Sequence, residues 1–323
     1  MFKGLLAGVC VLCLGVFAAP ALADPAEVAR VVKAFNARAT PPAESPKNLC
    51  EDGTRETKPQ LVSWTVTNPG PVQRGCALDV AVLAADSVAN VQNVVNSLAE
   101  DPRIATVTAV IITVVTPTAV ELGAFDSVLV FTNSTPLSSV GLGNSLATYV
   151  DSGGGVVLTM FSLRAGAANR TIEGRFLTDN YYCIQRTIGG LVSGASTLGT
   201  VHVPSSPLLD GVANFSGGAL SYRTPGTLHP QASRVADWST GEILIASRND
   251  RVGKRVDLGF FPVSAANLAG GWVTTTDGAQ LLRNAVVVTG ECDAPACRGD
   301  FNGDGEVDSQ DFFEFIAAFF TGC

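Results

Sequence analysis

The sequence predicts an α/β protein: a mostly parallel, doubly wound sheet with helices on both faces, followed by a small loop–helix unit at the carboxyl end. Three observations predict it. Strand-length apolar runs alternate with helical patterns through residues 78–161, and both faces of each run are apolar, as strands covered on two sides require. The chain is 46% hydrophobic and only 15% charged over 323 residues, which is enough to bury one large core. Its acidity is concentrated at one end: residues 291–323 carry eight Asp or Glu against Arg298 alone.

Taken in order, Lys3, the apolar stretch 5–17 and Ala21-Leu22-Ala23 predict a secretory signal peptide over residues 1–23. That stretch is too short to span a bilayer comfortably, so no integral membrane span is expected after cleavage. The product is expected to be exported, to the surface or exterior of a bacterial cell or to its periplasm. Residues 24–77 form a lead-in: Val28, Val31, Val32 and Phe35 sit at helical spacing, a Pro-rich stretch follows, and residues 61–67 alternate as a strand does. The main domain covers 78–289. Its first half predicts strands at 78–84, 107–115, 127–131 and 156–161, with helices at 88–99 and 142–150. Gly153-Gly154-Gly155 precedes a strand and does not open a helix, which suits a helix stop and tight turn better than a phosphate cradle. The second half is less regular; a hairpin at 242–247 and 256–261 and a closing helix at 277–288 stand out. Residues 290–296 make a linker, and 297–323 the terminal unit.

A formal net charge of −8 with no Lys/Arg-rich stripe excludes the electrostatic footprint of a nucleic-acid binder. Removing the signal leaves Cys50, Cys76, Cys183, Cys292, Cys297 and Cys323, an even number that favours disulfides in an exported chain. Neither His202 nor His229 is near a cysteine, which argues against zinc.

The terminal unit contains Asp300-Phe301-Asn302-Gly303-Asp304-Gly305-Glu306-Val307-Asp308-Ser309-Gln310-Asp311. Oxygen side chains fall at loop positions 1, 3, 5, 9 and 12, the spacing that wraps a hard cation in an EF-hand loop. Glu306 at position 7 would offer its carbonyl, and Gly305 permits the sharp turn. Asp300, Asn302, Asp304, Glu306, Asp308 and Asp311 are therefore the expected ligands of Ca2+, which this donor set suits better than Mg2+. Phe312, Phe313, Phe315, Ile316, Phe319 and Phe320 then make a wide apolar stripe on a helix, too many rings for so small a unit to bury alone.

An Asp closing the loop and a terminal Gly322-Cys323 make this segment resemble the dockerin family, above all the single-loop, GC-type dockerin-like tails of exported bacterial proteins. The resemblance covers residues 297–323. It implies a calcium-dependent attachment or sorting tag whose partner is a cohesin-like or sorting receptor. One loop stands where a complete dockerin has two. A ten-residue helix rises about 15 Å and the flank back to Cys297 reaches about 10 Å, so a Cys297–Cys323 bridge can clip the unit. Six cysteines allow fifteen connectivities; for the others we favour Cys50–Cys76 and Cys183–Cys292.

The main domain resembles the class I glutamine amidotransferase-like fold, a flavodoxin-like sandwich that includes trehalose-utilisation-type proteins. The likeness rests on the strand Phe125-Asp126-Ser127-Val128-Leu129-Val130-Phe131-Thr132-Asn133, on Gly153-Gly154-Gly155-Val156-Val157-Leu158, and on Gly259-Phe260-Phe261-Pro262-Val263. It implies a catalytic cysteine at the turn after a central strand, activated by His and Glu. Here that turn reads Met160-Phe161-Ser162, with no thiol and no flanking glycine. Ser162 could act only with His202 or His229 as base; otherwise it is a loop hydroxyl bonded to backbone and both histidines are exposed loop residues. Cys183 is either disulfide-bonded or, beside Arg186, a reactive thiolate. A ligand would bind at the carboxyl ends of the parallel strands, where Asp86, Thr132, Asn133, Ser162 and Arg164 gather. The expectation is a non-catalytic exported binding or structural protein, with a hydrolase acting on polysaccharide or its substituents as the alternative.

Overall fold

The computed structural model describes residues 63–70, 77–163, 170–185, 190–219 and 221–291, together with 309, 310, 312, 313 and 316 of the tail. The expected signal peptide, the helix at 25–37, most of the linker, and Cys50, Cys76, Cys292, Cys297 and Cys323 lie outside these residues. So do the expected calcium ligands Asp300, Asn302, Asp304, Glu306, Asp308 and Asp311. No helix among the described residues is long and apolar enough to cross a membrane.

Among the described residues twelve strands form: β1 (Ser63–Thr67), β2 (Leu78–Ala85), β3 (Ile104–Ile111), β4 (Ser127–Thr132), β5 (Gly155–Thr159), β6 (Val192–Ser193), β7 (Ser196–Val201), β8 (Ser216–Gly217), β9 (Tyr222–Arg223), β10 (Ser233–Trp238), β11 (Ile243–Arg248) and β12 (Arg255–Leu258). The helices are α1 (Val88–Ala99), α2 (Ala119–Leu122), α3 (Ser139–Asp151), α4 (Gly174–Thr178) and α5 (Gly278–Thr289). Ten strands share one sheet in the order β1-β3-β2-β4-β5-β12-β11-β10-β7-β8. The five from β3 to β12 in that order run parallel. The outer strands pair antiparallel, including the expected β11–β12 hairpin.

The reason the central strands read as unbroken apolar runs is visible in their packing. Val80, Val82, Ala84, Leu129 and Phe131 join a core with α1 and α5 on one face, while Ala81, Leu83, Val128 and Val130 join a second core with α3 on the other. Three strands end earlier than the pattern predicts, β12 stopping at Leu258. β3 ends at Ile111 because residues 112–115 turn back, with Val114 and Val115 donating to the Ile111 carbonyl. β5 ends at Thr159 because Phe161 adopts a left-handed backbone, φ 74°.

The starts of α1, α2 and α3 are capped by side chains the sequence supplies. Ser87 accepts from the Asn90 amide at 3.3 Å, and Thr118 with Glu121 forms a capping box. Gly153, φ 103°, takes the left-handed position just past the end of α3, so the triple glycine is a helix stop. Gly143 packs α3 against the backbone before α4: a Cβ there would lie 1.7 Å from the Glu173 carbonyl oxygen. Gly143→Ala is expected to cost about 2–3 kcal/mol, read from the urea midpoint, because the obstructing atom is backbone and cannot swing aside.

Cys183 is sealed in the core. Among the described residues it carries a free, fully buried thiol, and its expected partner Cys292 lies outside them. Its neighbours explain the burial: it packs in the α3-side core with Tyr181, Tyr182 and Ile184, and its Sγ donates to the Arg255 carbonyl at 3.5 Å.

Candidate binding site at the strand ends

The parallel strands β2, β4, β5 and β12 deliver their carboxyl ends to one place. Asp86 follows β2, Asn133 follows β4, Phe161 follows β5, and Phe260 and Phe261 follow β12. The Ala85 carbonyl accepts from the amides of Asn133 and Ser134 at 2.8 and 2.7 Å, which ties two of these ends together. A cavity of about 340 Å³ opens there, lined by Asn133, Phe161, Arg170, Tyr222, Phe261 and Trp272 among others. Two asparagines of α1 hold the loop that forms its far wall. Asn93 accepts from the Ser264 amide at 3.0 Å, and Asn90 accepts from Asn267 at 2.6 Å.

The polar side of the site is a relay. Asp86 Oδ1 accepts from the Ser87 amide at 2.7 Å, from Asn90 at 3.0 Å and, over a longer 3.4 Å, from Asn133 Nδ2. Asn133 turns its carbonyl oxygen to Arg170 Nη1 at 3.3 Å. Burial pushes the Asp86 carboxyl above its ordinary range, opposed by the bonds from Ser87, Asn90 and Asn133 and by the charge of Arg170. Its Oδ2 is buried without a hydrogen-bond partner among the described residues.

The apolar side is aromatic. The Phe161 ring lies 5.4 Å from those of Tyr222 and Phe261, and the Arg170 guanidinium sits 5.2 Å above it. A left-handed turn after a central strand is the geometry that exposes a nucleophile in hydrolases. This turn adopts that backbone without flanking glycines, and Phe161, itself buried, occupies the position a nucleophile would take.

Of the five residues expected here, Asn133 lines the cavity and Asp86 lies behind it, accepting from its Nδ2. Thr132 is buried and donates to the Arg170 carbonyl at 2.6 Å, positioning that residue instead of facing a ligand. Ser162 is fully buried and donates to the Thr159 carbonyl at 2.5 Å, the backbone-bonded role. Arg164 lies outside the described residues; the guanidinium seen at the site is Arg170.

The histidines sit elsewhere. His202 Nε2 pairs with Asp237 at 2.8 Å on the antiparallel extension, and Arg234 holds the other carboxylate oxygen at 2.6 Å. His229 is buried, not exposed as expected, and its Nδ1 accepts from the Gln231 amide at 3.1 Å. Burial and then the charge of Arg248 lower its pKa. Cys183 is no activated thiolate: burial pushes its pKa well above the usual thiol value, and the Asp257 charge adds to this. No cluster of His, Cys, Asp and Glu that could hold a metal is present among the described residues.

No family model and no curated protein matches this sequence. Among solved structures, two cytoplasmic proteins of Salmonella typhimurium are similar, with TM-scores of 0.51 at 12% and 11% identity, covering 66% of this chain and 99% of each of theirs. A ThuA-like protein from Parabacteroides merdae has a TM-score of 0.48 at 12% identity, covering 68% of this chain and 92% of its own. At such identities the likeness to the Salmonella proteins concerns the α/β fold alone.

Proposed function

We propose that the protein is an exported, non-catalytic binding module. Its strand-end cavity takes a small polar ring of the sugar class, and its calcium-binding tail attaches it to a cohesin-like or sorting receptor. The observation that carries the binding reading is Phe161: the backbone position suited to a nucleophile holds a phenyl ring, set among other rings and beside polar groups that match hydroxyls. A cavity of 340 Å³ is at the small end of ligand pockets, sized for one or two sugar rings.

Support for the tail comes from its donor chemistry. Asp300, Asn302, Asp304, Asp308 and Asp311 side chains with the Glu306 carbonyl would hold Ca2+, whose binding would fix the loop and the helix after it. In that helix Phe312 and Phe313 are 60% and 66% exposed, rings on offer to a receptor. The hydrolase alternative has one feature in its favour, the His202–Asp237 pair, a base already oriented by a carboxylate.

Calorimetric titration of the full chain with Ca2+ is expected to show one site, with Asp300→Ala weakening it by at least about tenfold and releasing the protein from the cell surface. Absence of calcium heat in the wild type would remove the attachment reading.

A further inference from the structure

The wall built by residues 262–272 narrows the class of ligand. Trp272 lines the cavity with ring carbons alone, because its Nε1 donates to the Pro262 carbonyl at 2.9 Å. Leu268, Leu191 and Phe261 continue this apolar lining. The Asn133 amide is engaged at both ends, Nδ2 with Asp86 and Oδ1 with Arg170. Among the described lining residues, hydroxyls come from Ser221 and Tyr222. We infer that the cavity selects a 6-deoxyhexose over its parent hexose: a pyranose whose C5 methyl, in place of a hydroxymethyl, lies against Leu268 and Trp272. This rests on the sugar-binding reading above and narrows it to one substrate class.

The two sugars differ by one oxygen. A hydroxymethyl group set against Leu268 and Trp272 gives up its bonds to water and finds only carbon in return, whereas a methyl there loses no bond and gains burial. The penalty is realised only if the wall stays in place, and the structure ties it down along its length. Asn93 accepts from the Ser264 amide at 3.0 Å, and Asn90 accepts from Asn267 at 2.6 Å. The Leu268 amide donates to the Ser264 carbonyl at 2.9 Å, and the Trp272 carbonyl accepts from Ala265 at 2.8 Å. Behind the Trp272 ring, Gly278 packs so closely that a Cβ would lie 2.5 Å from it, which leaves the indole no room to withdraw. A wall ordered before the ligand arrives keeps its discrimination on binding. Rejection of one added hydroxyl by apolar contact alone reaches about a hundredfold. The ring hydroxyls common to both sugars meet the same groups and cancel in the comparison.

The test is calorimetric titration of the full chain with 6-deoxygalactose, 6-deoxymannose and 6-deoxyglucose, each against its parent hexose of the same hand, on wild type, Leu268→Asn and Leu268→Met. Melting temperatures are compared first; should Leu268→Asn fail to fold, the wild-type pairs and Leu268→Met decide. At least one deoxy sugar is expected to bind the wild type about tenfold or more tighter than its parent. Leu268→Met keeps an apolar side chain of similar size and is expected to hold that ratio within about threefold. Leu268→Asn offers the hydroxymethyl oxygen a partner and is expected to erase the preference. Equal binding of deoxy sugar and parent by the wild type, or a preference that Leu268→Asn leaves unmoved, overturns the deoxy-sugar inference and leaves the sugar-binding reading standing. Binding of none of the six sugars overturns both.

Discussion

Asp250→Ala is expected to destabilise the protein by about 3–5 kcal/mol, because it strands two buried arginines at once. Arg248 is bonded to Asp250 through Nε at 3.0 Å and Nη2 at 2.7 Å, and Arg255 pairs with the same carboxylate. Their side chains are 2% and 1% exposed. Burial alone would raise the Asp250 pKa; the Arg248 bond and the charges of Arg255 and Arg248 overcome it and hold the carboxyl below its ordinary range. Arg255 shows the reverse strain, its pKa lowered chiefly by burial, with Nε buried and unpartnered. Without Asp250 neither cation can reach water, so the cost is that of an uncompensated buried charge, not of a surface pair worth under about 1 kcal/mol. Urea unfolding at pH 7 measures it. A loss below about 1 kcal/mol would mean that water reaches the cluster and that neither arginine depends on Asp250.

The stability of the protein is expected to fall as pH rises from about 4 to 7, with Asp257 as the main cause. This carboxyl is buried among apolar side chains, and burial lifts its pKa to about 7 against the bonds it accepts from the Ile184 and Cys183 amides and against the charges of Arg255 and Arg248. Unfolded, it titrates near its ordinary value of 3.8. Between these values the folded state binds more protons than the unfolded one, so raising the pH favours unfolding, by on the order of 4 kcal/mol across the window. Asp86 is shifted in the same direction and adds to the slope. Asp101, Asp151 and Asp250 are shifted downward, so their contribution is lost only as pH falls below the ordinary carboxylate range, outside this window. Asp257→Asn keeps an oxygen for the two amides and removes the proton equilibrium. Urea midpoints at pH 4.5 and 7.5 should then differ much less in the variant than in the wild type; an unchanged difference would assign the slope to other groups.

Asp250, in the turn of the expected hairpin, serves two buried arginines, and Asp257 is itself buried in the second strand of that hairpin. Arg255 and Asp257 sit in a strand, RVDL, buried at every position. Their alternation with Val256 and Leu258 reads as a half-exposed strand, and only the neighbours Asp250, Arg248 and the Cys183 turn make that burial tolerable. The same limit hid much of the candidate site. Asp86 and Asn133 are legible because they end strands that the apolar pattern marks clearly. Arg170, Tyr222 and Trp272 come from the irregular second half, where turns and two-residue strands leave no periodicity to read. Phe161 could have been flagged by its place in the turn after β5, but no residue pattern announces a left-handed phenylalanine.

What the sequence determined by itself is the alternation of two-faced apolar strands with capped helices, and hence the parallel core and the end of it at which a ligand would bind. These follow from local pattern, because burial on both faces requires apolar side chains at consecutive positions. Tertiary structure alone decided that β11, β10, β7 and β8 extend the sheet antiparallel beyond β12, that Cys183 is a sealed thiol, and that Arg170 meets Asn133, thirty-seven residues away in the chain, at the cavity. Those outcomes depend on contacts between segments tens of residues apart, and the free energy of such contacts is set by which groups the fold removes from water together.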